Sequence, residues 1–176
     1  PQGNRFATLV RVNRQQVGGD LTPEVVGLPK GVTFSGQGPA QRGELMPVVF
    51  EASSDAPLAV SLAGVHALSQ SKDESAKQFR STFKHGTRCV IGNPNRTEYA
   101  HTSVGRMPVA VTEAVPFKID VVPPKAPLVR GGVMNLKVNV TRDDFEGRVR
   151  AYMLYRPPGI GAAGQIDLVK GKSEAD

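Results

Sequence analysis

The sequence predicts an all-β protein made of two successive stacked-sheet modules, and three observations carry that expectation. Nineteen Gly and fourteen Pro among 176 residues punctuate the chain too often for long helices, since both residues spoil helices and mark turns. Stretches such as "MNLKVNVTR" (residues 134–142) alternate apolar and polar side chains with the period of two that belongs to a half-buried strand. An internal similarity then joins the two ends of the chain.

That similarity runs without a gap. "VRVNRQQVGGDLTPEVVGLPKGV" (residues 10–32) lies over "VNVTRDDFEGRVRAYMLYRPPGI" (residues 138–160) at a constant offset of 128. Val10 and Val12 fall on Val138 and Val140, Arg14 on Arg142, Gly19 on Gly147, Leu21 on Val149, Pro29 on Pro157 and Gly31 on Gly159.

The elements follow in order. In "FATLVRVNR", Phe6, Thr8, Val10 and Val12 share one face of a strand. The short "QQVGG", echoed by "DDFEG", reads as a hairpin or a tight corner into the next strand. "SGQGPAQRG" (35–43) is a loop, and further strands are expected at 44–52, 57–68, 87–92, 98–104 and 107–114. The polar "SQSKDESAKQFRS" (69–81) has little apolar face to bury and reads as an exposed loop. One module's last strand passes into the next module's first through "EAVPF", so the joint falls between Glu113 and Phe117, stiffened by Pro116. The first module is thus residues 1–114 and the second 115–176. The second opens on "PFKIDVVPPKAPLVRGG", whose equivalent in the first would precede Pro1. The chain is therefore expected to begin inside one module and stop inside the next, a piece of something longer. Within "MNLKVNVTR", Met134, Leu136, Val138 and Val140 face one way and Asn135, Lys137, Asn139 and Thr141 the other; "RVRAYMLY" sets Val149, Ala151, Met153 and Tyr155 together. Short strands separated by Gly, Pro and Asn clusters are the signature of an immunoglobulin-like β-sandwich.

Composition narrows the function. No apolar run reaches the roughly 18 residues that cross a bilayer as a helix. Twenty-two Lys and Arg against sixteen Asp and Glu leave a net charge of +6. The positives are scattered from Arg5 onward with no dense run or interleaved aromatic set, which predicts a generally basic surface and not a nucleic-acid site.

Each motif that suggests chemistry has a plainer reading. "GIGAAG" (159–164) has the dinucleotide spacing G-x-G-x-x-G, yet it follows a repeated proline corner, and "QIDLVKGK" after it alternates like a strand instead of opening a helix. Cys89 in the strand-like "TRCVIG" is expected to be a buried thiol. His85 stands four strand positions from it, about 13 Å, too far to serve as its base. His66, His85 and His101 lack metal-ligand spacing. Asp143 with Asp144 in "RDDFEG", and Asp73 with Glu74, could offer oxygens to calcium, but the first copy has Gln15 and Gln16 there, so these read as solvated turn residues. Asn95 and Asn139 head N-x-S/T sequons, Asn95 in a loop and Asn139 on a strand's wet face. No catalytic, cofactor-binding or metal-binding residue is assigned, and no cofactor is expected.

The unit "NRQQ…GG-x-L…V-x-GLPKGV", followed by "VVFEASSDAPLAVSLAGV" and "MPVAVTEAVPFKIDV", resembles the tandem immunoglobulin-like modules of large exported proteins of planctomycete-type bacteria, often labelled as carrying pre-peptidase C-terminal domains. The resemblance covers most of the chain, and "GLPKGV" with its echo "YRPPGI" is its most specific part; Tyr155 and Arg156 depart from it where the first copy has Gly27 and Leu28. It implies an extracytoplasmic sandwich array, in the periplasm, at the cell surface or secreted, with no catalytic residues to carry over. The expected role is non-enzymatic: spacing, scaffolding or adhesion at the cell envelope, with protein partners or self-association through sheet edges, intermodule faces and loops such as 35–43. The alternative is a carbohydrate- or ligand-binding accessory module of a secreted enzyme. A chain without Trp offers such a glycan only Tyr99, Tyr152 and Tyr155.

Overall fold

The computed structural model describes residues 1–14, 19–39, 44–70, 78–93, 95, 97–162, 164–171 and 173–175. Among them every regular element is a strand, and no helix is long and apolar enough to cross a membrane. The chain divides into two compact units, Pro1–Glu113 and Ala114–Asp176.

The first unit contains β1 (Arg5–Arg11), β2 (Leu21–Val26), β3 (Val32–Gly36), β4 (Leu45–Ala52), β5 (Ala59–Ser69), β6 (His85–Gly92), β7 (Thr97–Val104) and β8 (Met107–Val111). Antiparallel pairing gives one sheet ordered β1-β4-β3, a second ordered β2-β5-β8 and a separate β6-β7 ribbon. In β4 the apolar residues at every second position, Met46, Val48 and Phe50, are buried. They form one core with Leu21 of β2 and with Val65 and Ala67 of β5, so strands of both sheets supply the same apolar interior. Pro47 sits in the central strand of its sheet, opposite Leu9 of β1. It is tolerated because β3 ends at Gly36, opposite Val48, and no neighbour on that side calls for the missing N–H.

The second unit contains β9 (Phe117–Val121), β10 (Val138–Arg142), β11 (Val149–Ala151), β12 (Ile166–Leu168) and β13 (Glu174–Ala175). Its sheets are ordered β13-β10-β9 and β11-β12. Val140, Val149 and Leu168 form its core, with Phe117 and Phe145 packed against it and stacked at 5.2 Å between ring centroids.

"DDFEG" makes a corner, not a hairpin, and the strands on either side of "QQVGG", whose residues 15–18 lie outside the described residues, likewise belong to different sheets. β1 pairs with β4 while β2 pairs with β5, and β10 pairs with β9 while β11 pairs with β12, so each strand leaves its sheet for another. An arginine precedes both connections. Arg14 donates to the Gly19 carbonyl at 2.6 Å, and Arg142, 128 positions on, donates to the Gly147 carbonyl at 2.6 Å. Arg142 also donates to the Leu168 carbonyl at 3.0 Å and the Phe145 carbonyl at 3.2 Å; a charged fork with five donors can serve several carbonyls at once. The glycine corners match too. Val32 donates to the Pro29 carbonyl and Ile160 to the Pro157 carbonyl, both at 3.1 Å. Gly31 (φ 78°) and Gly159 (φ 88°) occupy the turn position that needs a left-handed backbone.

Other expectations change. "RVRAYMLY" stops being a strand at Ala151 because its partner β12 is three residues long; Met153 has nothing to pair with and is exposed. β3 begins before the expected 35–43 loop and runs through Gly36. Residues 40–43 and 71–77 of the two expected loops lie outside the described residues.

Candidate interaction surface

Alternation along β5 places Ala63, Val65 and Ala67 in the core and turns Val60 (74 % exposed) and Leu62 (58 % exposed) outward. Across the strand pair Val60 faces Ala110 and Leu62 faces Pro108, while Leu58 and Val26 are also exposed. Val60, Leu62, Pro108 and Ala110 therefore form an exposed apolar stripe on the outer face of this sheet, which also carries Glu24 with its partner Arg80. Beside it lies an open hollow of about 380 Å³ lined by Leu62, Val104, Gly105, Arg106 and Pro108. Its rim is fixed by the Arg106 guanidinium, which donates to the Leu62 carbonyl at 3.3 Å. A second hollow of about 350 Å³ is lined by Ser35, Gly36, Gln37, Pro47 and Val49. Neither lining carries a carboxylate, imidazole or thiol, the groups general acid–base and covalent chemistry draws on most. Exposed apolar side chains beside a charged rim are one form a binding surface takes.

The residues singled out in the sequence are dispersed. Cys89 is exposed, not buried: among the described residues β6 and β7 pair only with each other, β7 is exposed along its length, and Cys89 lies at the register shift between Arg88 and Val90. Its thiol donates to the Thr87 carbonyl at 3.8 Å. His85 pairs opposite Val104 at the far end of the ribbon. His101 contacts Glu98 at 3.2 Å, and Arg88 contacts the same carboxylate at 3.0 Å. His66 stands on β5, its Nδ1 2.8 Å from the Ser81 carbonyl oxygen. Among the described residues no three His, Cys, Asp or Glu side chains gather as a metal site. Asp143 and Asp144 are exposed turn residues, Asp144 with φ 56°; Asp73, Glu74, Gln15 and Gln16 lie outside the described residues.

Gly159 closes the proline turn, and the chain after Gly164 enters β12, so the glycines point no helix N-terminus at a phosphate. Asn95 is exposed in a turn. Asn139 differs from expectation: it is half-buried, with Oδ1 enclosed and without a hydrogen-bond partner among the described residues. Tyr99 and Tyr152 are exposed. Tyr99 lies across the ribbon over Gly92, where a Cβ would strike its ring.

The strongest electrostatic feature is cross-strand. Arg150 and Asp167 are register partners of β11 and β12, joined by two hydrogen bonds of 2.8 and 3.2 Å. The fork holds the Asp167 carboxyl below its usual range and raises the Arg150 guanidinium in turn. Arg148 adds attraction at 3.5 Å.

Sequence reading aligned Arg14 with Arg142 but assigned neither a role. The available signal was an arginine closing a strand in both copies just ahead of a glycine-bearing corner.

No protein-family model, curated protein sequence or solved structure matches the chain.

Proposed function

We propose that this chain is a non-catalytic structural or adhesive protein, two immunoglobulin-like sandwich modules in tandem, that spaces or assembles components outside the cytoplasm at a bacterial cell envelope. The observation that carries the reading is the apolar outer face of β5, with Val60 and Leu62 turned to solvent. Leaving two such side chains wet costs a few kcal/mol relative to covering them, which favours a partner surface there. Support for the modules comes from the two connections preceded by an arginine and the two proline–glycine turns at an offset of 128. Core residues drawn from both sheets of the first unit are the arrangement a sandwich requires. A glycan-binding accessory module is the weaker reading, because exposed Tyr99 and Tyr152 stand on different units.

Sedimentation velocity over a concentration series tests the main reading. Reversible association is expected, abolished by Val60→Glu with Leu62→Glu while the circular dichroism spectrum is retained. A monomer at every concentration, together with selective glycan-array binding lost on Tyr152→Ala, would reverse the order of the two readings.

A further inference from the structure

In the first unit β1 is paired on one side only, with β4. The direction of its backbone groups follows from the ladder. Val12 donates to the Glu44 carbonyl at 2.6 Å, and the Asn4 carbonyl accepts from Ala52 at 3.1 Å, so even-numbered residues face β4. By the alternation of an antiparallel pair, Ala7, Leu9 and Arg11 turn their N–H and C=O groups away from it. That is a row of donors and acceptors without a strand beside it among the described residues.

The second unit shows what fits there. Subtracting 128 places Lys137 on Leu9, Asn139 on Arg11 and Val140 on Val12. The Lys137 carbonyl accepts from Val122 at 2.9 Å, and Asp143 donates to the Pro116 carbonyl at 2.9 Å. The odd-numbered backbone groups of β10 thus point to β9, while Val140 donates at 2.7 Å to Ser173 on the other side. β10 and β1 therefore present the same groups in the same directions, and among the described residues no strand stands at the β1 edge that corresponds to the one β9 occupies on β10.

Side chains select the occupant. In the β9–β10 register Asp120 stands opposite Asn139 and Ile119 opposite Val140. Transferred to β1, Asp120 would face Arg11 and Ile119 would face Val12. Arg11 touches Glu44 only at 3.9 Å with both side chains largely exposed, a weak engagement that leaves its charge for an opposing carboxylate. Two other edges of the first unit carry proline. β2 carries Pro23, whose ring nitrogen faces away from β5, since Asp20 accepts from Gln70 at 2.8 Å and sets the even-numbered residues toward β5; β8 carries Pro108. β1 has no proline to refuse a strand.

We propose that the outer edge of β1 is an acceptor for an extended segment of β9 chemistry, added antiparallel by strand augmentation, with an acidic residue opposite Arg11 and an apolar residue opposite Val12. The proposal rests on reading the two units as like modules. It concerns a different surface from the β5 face, so the two can fail separately.

The probe is a synthetic peptide of residues 115–123, VPFKIDVVP, added to the intact chain with amide exchange followed by NMR. Exchange at Leu9 and Arg11 is expected to slow at least tenfold at saturation. Asp120→Lys in the peptide should weaken binding about tenfold, and Arg11→Glu in the chain should restore it. The Val60→Glu, Leu62→Glu chain should bind the peptide unchanged. No slowing at Leu9 and Arg11, or slowing confined to β3 or β8, overturns the assignment. So does slowing that grows with protein concentration when no peptide is present, which would make the occupant a second copy of the chain.

Discussion

Gly31 and Gly159 occupy equivalent turns but different surroundings, and substitution separates the two costs a glycine can hide. Both hold a left-handed backbone, with φ of 78° and 88°, where a side chain costs roughly 1–2 kcal/mol. A Cβ on Gly159 meets nothing within 4 Å, whereas on Gly31 it would stand 2.8 Å from Ala56 Cβ and 3.0 Å from Ala56 Cα. Gly159→Ala is therefore expected to cost about 1 kcal/mol. Gly31→Ala adds a collision with a buried residue, for a total of roughly 3 kcal/mol. Urea midpoints of the two variants, with amide exchange to localise each loss, check this; equal costs would mean that the Ala56 segment gives way freely. The matched glycines themselves are legible in the sequence, because a Pro-x-Gly run before a β-branched residue has few conformations to choose from. What cannot be read there is Ala56, which arrives from 25 residues away.

At the level of elements, alternation located strands without fixing their length. In "MNLKVNVTR" it set Val140 and Thr141 on opposite faces, and they are buried and exposed, but the strand begins at Val138 and not at Met134. It overran at β11, where "VRAYMLY" keeps alternating after β12 has ended, since strand length is set by the partner as much as by the strand itself. It also misjudged Cys89, because an apolar run cannot tell a core strand from one in an exposed ribbon. The short β11–β12 pair leans on the Arg150–Asp167 fork, which makes its stability dependent on acid. Asp167 is lowered from the ordinary value near 3.8, so below that value the unfolded chain binds the proton more readily than the folded one. The contribution is complete above about pH 4 and is lost as pH falls through the lowered folded value. Amide protection of Val149 to Ala151 should decline over that interval in the native chain, and Asp167→Asn should remove that dependence. A carboxylate carbon-13 titration midpoint for Asp167 at or above 3.8 would contradict the assignment.

On the scale of the whole molecule, which residues stand open to a partner depends on two things that no local pattern contains. β5 is apolar on both faces, with Ala63 and Val65 on one and Val60 and Leu62 on the other, so periodicity alone cannot choose the wet face. The edge position of β1 likewise follows from the sheet order β1-β4-β3 among the described residues, a matter of distant pairing. Charge, by contrast, is read directly, and it opposes contact between copies. At neutral pH the chain carries +6, and its isoelectric point is near 9.7. Mutual repulsion keeps basic molecules apart while apolar faces and strand edges attract at short range. Raising the pH from 7 toward 9.7 removes the repulsion and leaves the attraction, and added salt at pH 7 does the same by shortening the screening length to about 10 Å at 0.1 M. The weight-average mass from sedimentation equilibrium should therefore climb along both paths and return when pH or salt is reversed. Association driven by charge attraction between unlike patches would behave in the opposite way under salt, so a mass that falls with salt at pH 7 would place the contact on ion pairs and remove the apolar face from the interface.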